Sequence, residues 1–374
     1  MKIQMLDLKG QYINIKDELD REIYEVLNEC QFIGGRQVKE FTLSLSDYAQ
    51  SSHVITCANG TDALQIALMA LNLDRGDEVI LPAFTYAATA EVVLLLGFTP
   101  VLADVYPETF NLDTSGIESL ISDKTKAIMP VHLFGQSADM AGIMDIASRF
   151  NLKVIEDNAQ ALGAKYKLSE GQYKSCGTIG HIGCTSFFPS KNLGCYGDGG
   201  AIFTQDASLA ETLRMIANHG QKIKYRHDVI GCNSRLDTIQ AAILNVKLKM
   251  LDKYTAARQE AASFYRHLLK DVNEVILPQE SVKSTHVYHQ FTIRCKQRDR
   301  LKDFLEEKEI PSMIYYPYPV HKQPAFRDLV IKRCETPVSD RLSEEVLSLP
   351  MHTELAPEQQ SYIADTIKQF YKNL

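Results

Sequence analysis

The chain reads as an α/β protein: a mostly parallel sheet covered on both faces by helices, followed by a smaller α+β region. Three observations carry this. Short β-branched runs that are apolar throughout recur from residue 53 to residue 204, and helical patterns separate most of them. The length, 374 residues, is that of a two-domain enzyme. The pattern then changes after a long helical stretch, where strands and charged helices no longer alternate regularly.

In chain order, "IKDELDREIYEVLNE" spaces Ile15, Leu19, Ile23, Val26 and Leu27 at helical intervals, and "FIGGRQV" breaks it with two glycines. Strands are predicted at "HVITCA", "DEVILPAF", "TPVLADV", "KAIMPVHLFG" and "KVIEDNA". The helices between them are "TDALQIALMALNL", "YAATAEVVLLLG", "GIESLIS" and "MAGIMDIASRF". Two further short runs follow, "CTSFFPS" and "GGAIFT". A long helical pattern over 234–270 leads into "HVYHQFTIRC", the charged helix "RDRLKDFLEEKEI", the segment "PSMIYYPYPVHKQPAF" and a last helix after Pro357. The division falls near residue 250, giving a large domain over 1–250 and a small one over 251–374.

Composition narrows the function. The net charge is −7 with no basic block, so nucleic acid and acidic membranes have no electrostatic footprint here. The densest apolar run, "EVVLLLGF", is too short to span a bilayer, and "MKIQMLDLKGQY" lacks the apolar stretch of a signal peptide. Eight cysteines occur without CxxC pairs, and nothing His-rich or Cys-rich completes a metal set. The expectation is a cytoplasmic protein with free thiols and no metal.

In open α/β sheets, ligands sit at the carboxyl ends of the strands. After the first strand comes "NGTDAL". Asn59 and Gly60 allow a tight turn, and Thr61 stands at or beside a helix N-cap, where first-turn N–H groups suit a phosphate. An ordinary capped turn reads the same way. Tyr86, at the rim of the second strand, can stack on a flat ring or simply pack the core. Asp157 ends an apolar strand, where a carboxylate needs a partner. A cationic ring nitrogen is one answer, and capping the next element is another. Gln160 follows three residues later and could reach a ring oxygen. Ser186 and Lys191 lie in "SFFPSKNLG". A lysine among aromatic and apolar neighbours can lose its proton and attack a carbonyl, whereas most loop lysines are solvated.

Each residue is ambiguous alone. Together they are the parts of a pyridoxal 5'-phosphate site: a phosphate cradle, a stacking ring, an acid for the pyridine nitrogen and a Schiff-base lysine, each at a strand end.

These motifs, with "FIGGRQVKEF", "PVHLFGQSADM", "GCYGDGGAIFT", "NSRLDTIQAAIL" and "YYPYPVHKQPAF", resemble the DegT-type nucleotide-sugar aminotransferases over nearly the whole chain. The resemblance implies fold type I of the pyridoxal phosphate enzymes, with a mostly parallel seven-stranded sheet in the large domain. It implies that Lys191 carries the cofactor and moves the proton. Asp157 would pair with the pyridinium, Gln160 with the ring oxygen, and Tyr86 would stack. Gly60, Thr61 and Ser186 would hold the phosphate, joined by Asn233 from the other subunit of a homodimer with shared sites. Without that comparison, "GCNSRLD" reads only as a loop before a helix.

The implied reaction moves the amino group of L-glutamate to a nucleotide-linked keto sugar for surface polysaccharide or O-antigen synthesis. The motifs are most similar to those of members aminating C3 of UDP-2-acetamido-2-deoxy-3-oxo-D-glucuronate. In these, Arg235 would read the sugar carboxylate, with backbone amides at Tyr315 and Tyr316. Tyr315 stands where the family has histidine.

The alternatives are an aminotransferase for another keto sugar (dTDP-3-oxo-6-deoxyhexose or a UDP- or GDP-4-keto sugar) and a non-catalytic regulatory relative. Dehydratases on this fold carry histidine at the lysine position, so Lys191 argues against that reading. "GCYGDGGA" lacks the GxGxxG setting of a Rossmann enzyme.

Overall fold

A computed structural model of the protein describes residues 2–168, 171–326, 329 and 331–374. The alternating pattern folds into one twisted sheet. Its strands are β1 (His53–Cys57), β2 (Glu78–Pro82), β3 (Thr99–Ala103), β4 (Thr125–Ile128), β5 (Lys153–Asp157), β6 (Ile182–Ser186) and β7 (Gly200–Thr204). The order across the sheet is β1-β7-β6-β5-β4-β2-β3, and the two-residue strand Lys332–Arg333 joins parallel at the β3 edge. β7 runs antiparallel to both its neighbours, and every other pair is parallel. Every residue of β2 and of β7 is buried, as expected of strands covered on both faces.

The helices are α1 (Leu8–Glu29), α2 (Arg36–Ala49), α3 (Gly60–Ala70), α4 (Ala88–Leu95), α5 (Met140–Arg149), α6 (Ala207–Ala217), α7 (Thr238–Leu248), α8 (Leu251–Leu269), α9 (Arg298–Glu307), α10 (Pro337–Glu345) and α11 (Pro357–Lys372). One core packs α3, α4 and α6 against the sheet through Ile66, Val92 and Leu213. Another packs α5 against it through Met140 and Ile143. A separate core gathers Tyr265, Phe291, Leu301, Leu349 and Ile363 around the antiparallel strands Val275–Ile276, Phe291–Cys295 and Val346–Leu349. Ile3, from the start of the chain, packs into it.

Four expectations change. "GIESLIS" is a 3-10 turn, Thr114–Leu120, rather than an α-helix. The strand expected over 126–135 stops at Ile128; beyond it Val131 makes one parallel bridge to Asp157 and Leu133–Gly135 is a 3-10 turn. The long pattern over 234–270 is two helices, broken at Lys249–Met250. Helix α3 is capped by Asn59, not Thr61: the Asn59 side chain accepts from Asp62 N at 2.8 Å.

All eight cysteines are free thiols. Among the described residues, no helix is long and apolar enough to cross a membrane, and no group of three or more His, Cys, Asp or Glu could hold a metal ion.

Candidate active site

The carboxyl ends of β1, β2, β5 and β6 open onto a cavity of about 480 Å3. Gly60, Thr61, Tyr86, Asp157, Gln160, Ser186, Lys191, Tyr315 and Tyr316 all line it. Nine expected residues, drawn from separate parts of the chain, therefore meet at one place.

The anion end is built by close approach. A Cβ on Gly60 would stand 2.6 Å from the Ser186 Cβ, so only glycine lets the start of α3 lie against the end of β6. Asn59 takes up the next two donors: its side chain accepts from Asp62 N–H and its carbonyl from Ala63 N–H. The first-turn amides of Gly60 and Thr61 carry the positive end of the helix dipole at the cavity. Behind them, Ser234 Oγ donates to Asp62 at 2.6 Å and accepts from Ala58 N at 3.0 Å.

Asp157 is 6% exposed at the end of β5. Thr89 Oγ1 donates to one carboxylate oxygen at 2.9 Å, and Ala159 N–H to the other at 3.2 Å. Burial pushes its pKa up, opposed by these two donors and by the charges of Lys191 and His132. Two neutral donors leave the negative charge without a close cation, which a protonated ring nitrogen would supply. On the other side of the strand, Glu156 is wholly buried. It accepts from Gly177, Ile179 and Gly180 N–H and pairs with His132 Nε2 at 2.8 Å. The strand end that presents Asp157 is thus bolted from behind.

Lys191 sits on a tight loop. Its amide donates to Phe188 O at 2.8 Å, and a Cβ on Gly194 would lie 2.5 Å from Pro189 O, so the loop closes only with glycine there. Asn192 Nδ2 ties the loop to Val287 O at 2.8 Å. Burial pulls the Lys191 pKa down to about 8, against the opposing pull of Asp157. The neutral, nucleophilic amine is then a populated minority near physiological pH, far more so than for an ordinary lysine.

Gln160 is already bound at both ends of its amide. Its Oε1 accepts from Phe134 N at 2.8 Å and its Nε2 donates to Tyr316 OH at 2.9 Å, leaving one N–H free to turn to a ligand. Tyr86 is 60% exposed just ahead of α4, so its ring is free to stack. The Tyr316 ring lies 6.1 Å from it, tilted by 43°.

Asn233 and Arg235 behave differently. Both are exposed and neither lines this cavity, although buried Ser234 between them braces α3 from behind. Polar or aromatic lining residues that were not singled out from the sequence include Phe134, Ser190, Asp198, His289 and Gln290. Thr89, which holds Asp157, had no signal beyond its helical spacing from Thr85. For His289, the signal was a polar His-Gln pair inside an otherwise strand-like run.

With this geometry in place, relatives can be compared. Residues 13–368 match the DegT/DnrJ/EryC1/StrS aminotransferase family. The UDP-2-acetamido-2-deoxy-3-oxo-D-glucuronate aminotransferase of Pseudomonas aeruginosa is 48% identical, over 94% of this chain and 96% of its own. The pleiotropic regulatory protein of Geobacillus stearothermophilus is 47% identical over the whole of both chains. The UDP-N-acetyl-3-dehydro-alpha-D-glucosamine 3-aminotransferase of Acidithiobacillus ferrooxidans is 45% identical, over 98% and 97%. Among solved structures, a DegT/DnrJ/EryC1/StrS aminotransferase from Brucella abortus superposes with a TM-score of 0.94 at 42% identity, covering 98% and 99% of the two chains. NtdA from Bacillus subtilis, solved with bound cofactor PMP, gives 0.87 at 33% identity, over 96% and 82%. The chain belongs to the DegT/DnrJ/EryC1/StrS aminotransferase family.

Proposed function

We propose that the protein is a pyridoxal 5'-phosphate-dependent aminotransferase that moves the amino group of L-glutamate onto a UDP-linked 3-oxo sugar. The observation that carries this is the convergence of Lys191 and Asp157 with the start of α3 in one cavity. The site fits the cofactor: two backbone amides for its phosphate, a buried acid short of a cation, and an amine whose pKa is drawn down to about 8. When bound, the cofactor supplies the carbonyl that takes up the amino group and a ring that accepts electrons.

In this reading Gly60, Thr61 and Ser186 hold the phosphate, Tyr86 stacks on the ring and Gln160 bonds the ring oxygen. Asp157 keeps the ring nitrogen protonated. Lys191 Nζ anchors the cofactor, then carries a proton between the substrate carbon and the cofactor. Asn233 and Arg235, exposed on this chain, serve the cavity of a second copy in a homodimer: Asn233 at the phosphate, Arg235 at a carboxylate. The amides of Tyr315 and Tyr316 face the sugar. The same proposal includes the division into a large part, 1–250, and a small part, 251–374. It also includes a cytoplasmic enzyme feeding surface polysaccharide or O-antigen synthesis.

Two of the relatives are named for UDP-linked sugars with a keto group at C3, one with a C6 carboxylate and one without. Lys191 is the one Lys or Arg among the described residues lining this cavity, so reading a sugar carboxylate falls to Arg235 of a partner. The uronate is therefore our first choice. The regulatory name of another relative supports a second reading, ligand-dependent regulation; the amine and acid sharing one cavity favour catalysis.

The test is a substrate panel. The protein, cofactor and glutamate are incubated with the UDP-3-oxo-uronate, the UDP-3-oxo-glucosamine, a dTDP-3-oxo-6-deoxyhexose and a UDP-4-keto sugar. Fastest turnover of the uronate is expected. Preference for the uncharged sugar overturns the carboxylate reading, and no turnover of any sugar overturns the reaction.

A further inference from the structure

His289 lines the catalytic cavity yet is 5% exposed, and no role above uses it. Its backbone is fixed from several sides. Val287 N donates to Gly135 O at 2.8 Å and Gln290 N to Phe134 O at 3.3 Å, so residues 287–290 run against the wall segment that also holds Gln160. A Cβ on Gly135 would lie 2.9 Å from both Tyr288 N and His289 N. Arg258 Nη1 reaches the carbonyls of Tyr288 at 3.1 Å, His289 at 3.4 Å and Met351 at 3.0 Å. Asn192, one residue after Lys191, binds Val287 O. The His289 backbone is therefore held in register with the lysine loop.

The ring's surroundings decide its state. His289 Nδ1 is sealed from solvent without a protein partner, and so is Arg258 Nε, which can only donate. Arg258 does not line the cavity. The charged groups acting on the ring are Lys191 and Arg258, both cations, and with burial they hold the imidazole neutral. Arg258 holds the His289 carbonyl through Nη1, and its positive charge favours a lone pair rather than a proton on the sealed Nδ1. The proton then belongs on Nε2, the nitrogen left to meet the cavity.

We propose that His289 presents Nε2–H to the cavity beside Lys191 and donates a hydrogen bond to the carbonyl oxygen of the keto substrate. This rests on the aminotransferase reading above. The carbon that exchanges its oxygen for nitrogen must lie within reach of Lys191, so its oxygen is the substrate atom most constrained to approach His289. A neutral donor suits that oxygen, because it stabilises developing negative charge without giving up its proton. The two protons that leave with this oxygen as water come from the attacking amine, with Lys191 as the relay, so Lys191 and His289 both end the exchange in the state they began it.

The test compares wild type, His289→Phe and His289→Gln, each loaded with pyridoxamine phosphate and mixed in single turnovers with 2-oxoglutarate or the UDP-3-oxo-uronate. His289→Phe is expected to slow both keto substrates by about 100-fold. His289→Gln, which keeps an N–H near the Nε2 position, is expected to recover most of that rate. Exchange of the glutamate α-hydrogen with solvent deuterium, measured on the pyridoxal phosphate-loaded forms, depends on Lys191 and not on a carbonyl oxygen, and is expected to stay near wild type. Normal keto turnover in His289→Phe overturns the proposal. So does loss of deuterium exchange in parallel, which marks a general disturbance of the site. If wild type turns over 2-oxoglutarate but no sugar, the sugar reading falls, and the 2-oxoglutarate arm still decides His289.

Discussion

The floor of the cavity and the Asn233–Arg235 segment are built on opposite terms. On the floor, Asp157 is buried and doubly hydrogen-bonded, and Lys191 stands on a loop that only a glycine can close. Around buried Ser234, Asn233 and Arg235 are exposed and point at nothing in their own cavity. The difference teaches that the lysine and the acid meet in the cavity of one chain, while recognition of an acidic substrate by Arg235 rests on the proposed homodimer.

The largest effect should come from the floor. Lys191→Ala is expected to lower turnover by at least about 10,000-fold, since anchor and proton carrier are lost together. Near-normal turnover in steady-state assays would sink the site. Asp157→Asn should follow, with a loss of about 100- to 1000-fold as the ring nitrogen loses its counter-charge. A loss smaller than about tenfold would mean that the ring does not lean on this acid.

The exposed segment is tested by mixing. Arg235→Ala is expected to raise KM for the uronate by about 10- to 100-fold while leaving the bound cofactor's spectrum intact. Mixed dimers of Lys191→Ala with Arg235→Ala should regain high-affinity turnover, because one of the two sites then has both residues intact. If Arg235 served its own cavity, no mixture would regain it.

Smaller still is the hydroxyl beneath the acid. Thr89→Val removes one of two donors to Asp157 and is expected to cost about 3- to 10-fold in turnover. A pH profile sharpens the floor without mutation. Burial places the Lys191 pKa at about 8 rather than the ordinary 10.5. The neutral amine is the reactive form, so capture of pyridoxal phosphate by the cofactor-free protein should quicken as pH rises and level off above about 8. A rate still climbing toward 10.5 would show an ordinary solvated lysine.

Much of the floor was legible in the sequence because strand ends announce themselves. An apolar run that stops at Asp157 or Ser186 marks the sheet's carboxyl edge, and the α/β alternation gathers those edges at one place. The cap lies at Asn59 rather than at or beside Thr61, because Asn, Gly and Thr all suit a helix start. The 3-10 turn at Thr114–Leu120 has the same short apolar spacing as a helix, and no local signal separates them. Thr89 had no sequence signal of its role, and His289 had only a weak one, for another reason. Each matters through a residue far away in the chain, Asp157 for one and Lys191 with Arg258 for the other, and only the packed structure brings those pairs together. Motif resemblance placed Arg235 near a carboxylate but could not say whose cavity it enters. Exposure outside its own cavity is the observation behind proposing that it serves a partner.

The most direct test of the central claim is the visible absorbance of the purified, cofactor-loaded protein, followed through sequential addition of glutamate and then the UDP-3-oxo-uronate. The account predicts a band from the lysine-bound cofactor that disappears with glutamate, returns with the sugar, and is missing in Lys191→Ala. A band indifferent to glutamate, or one that survives the loss of Lys191, would contradict it.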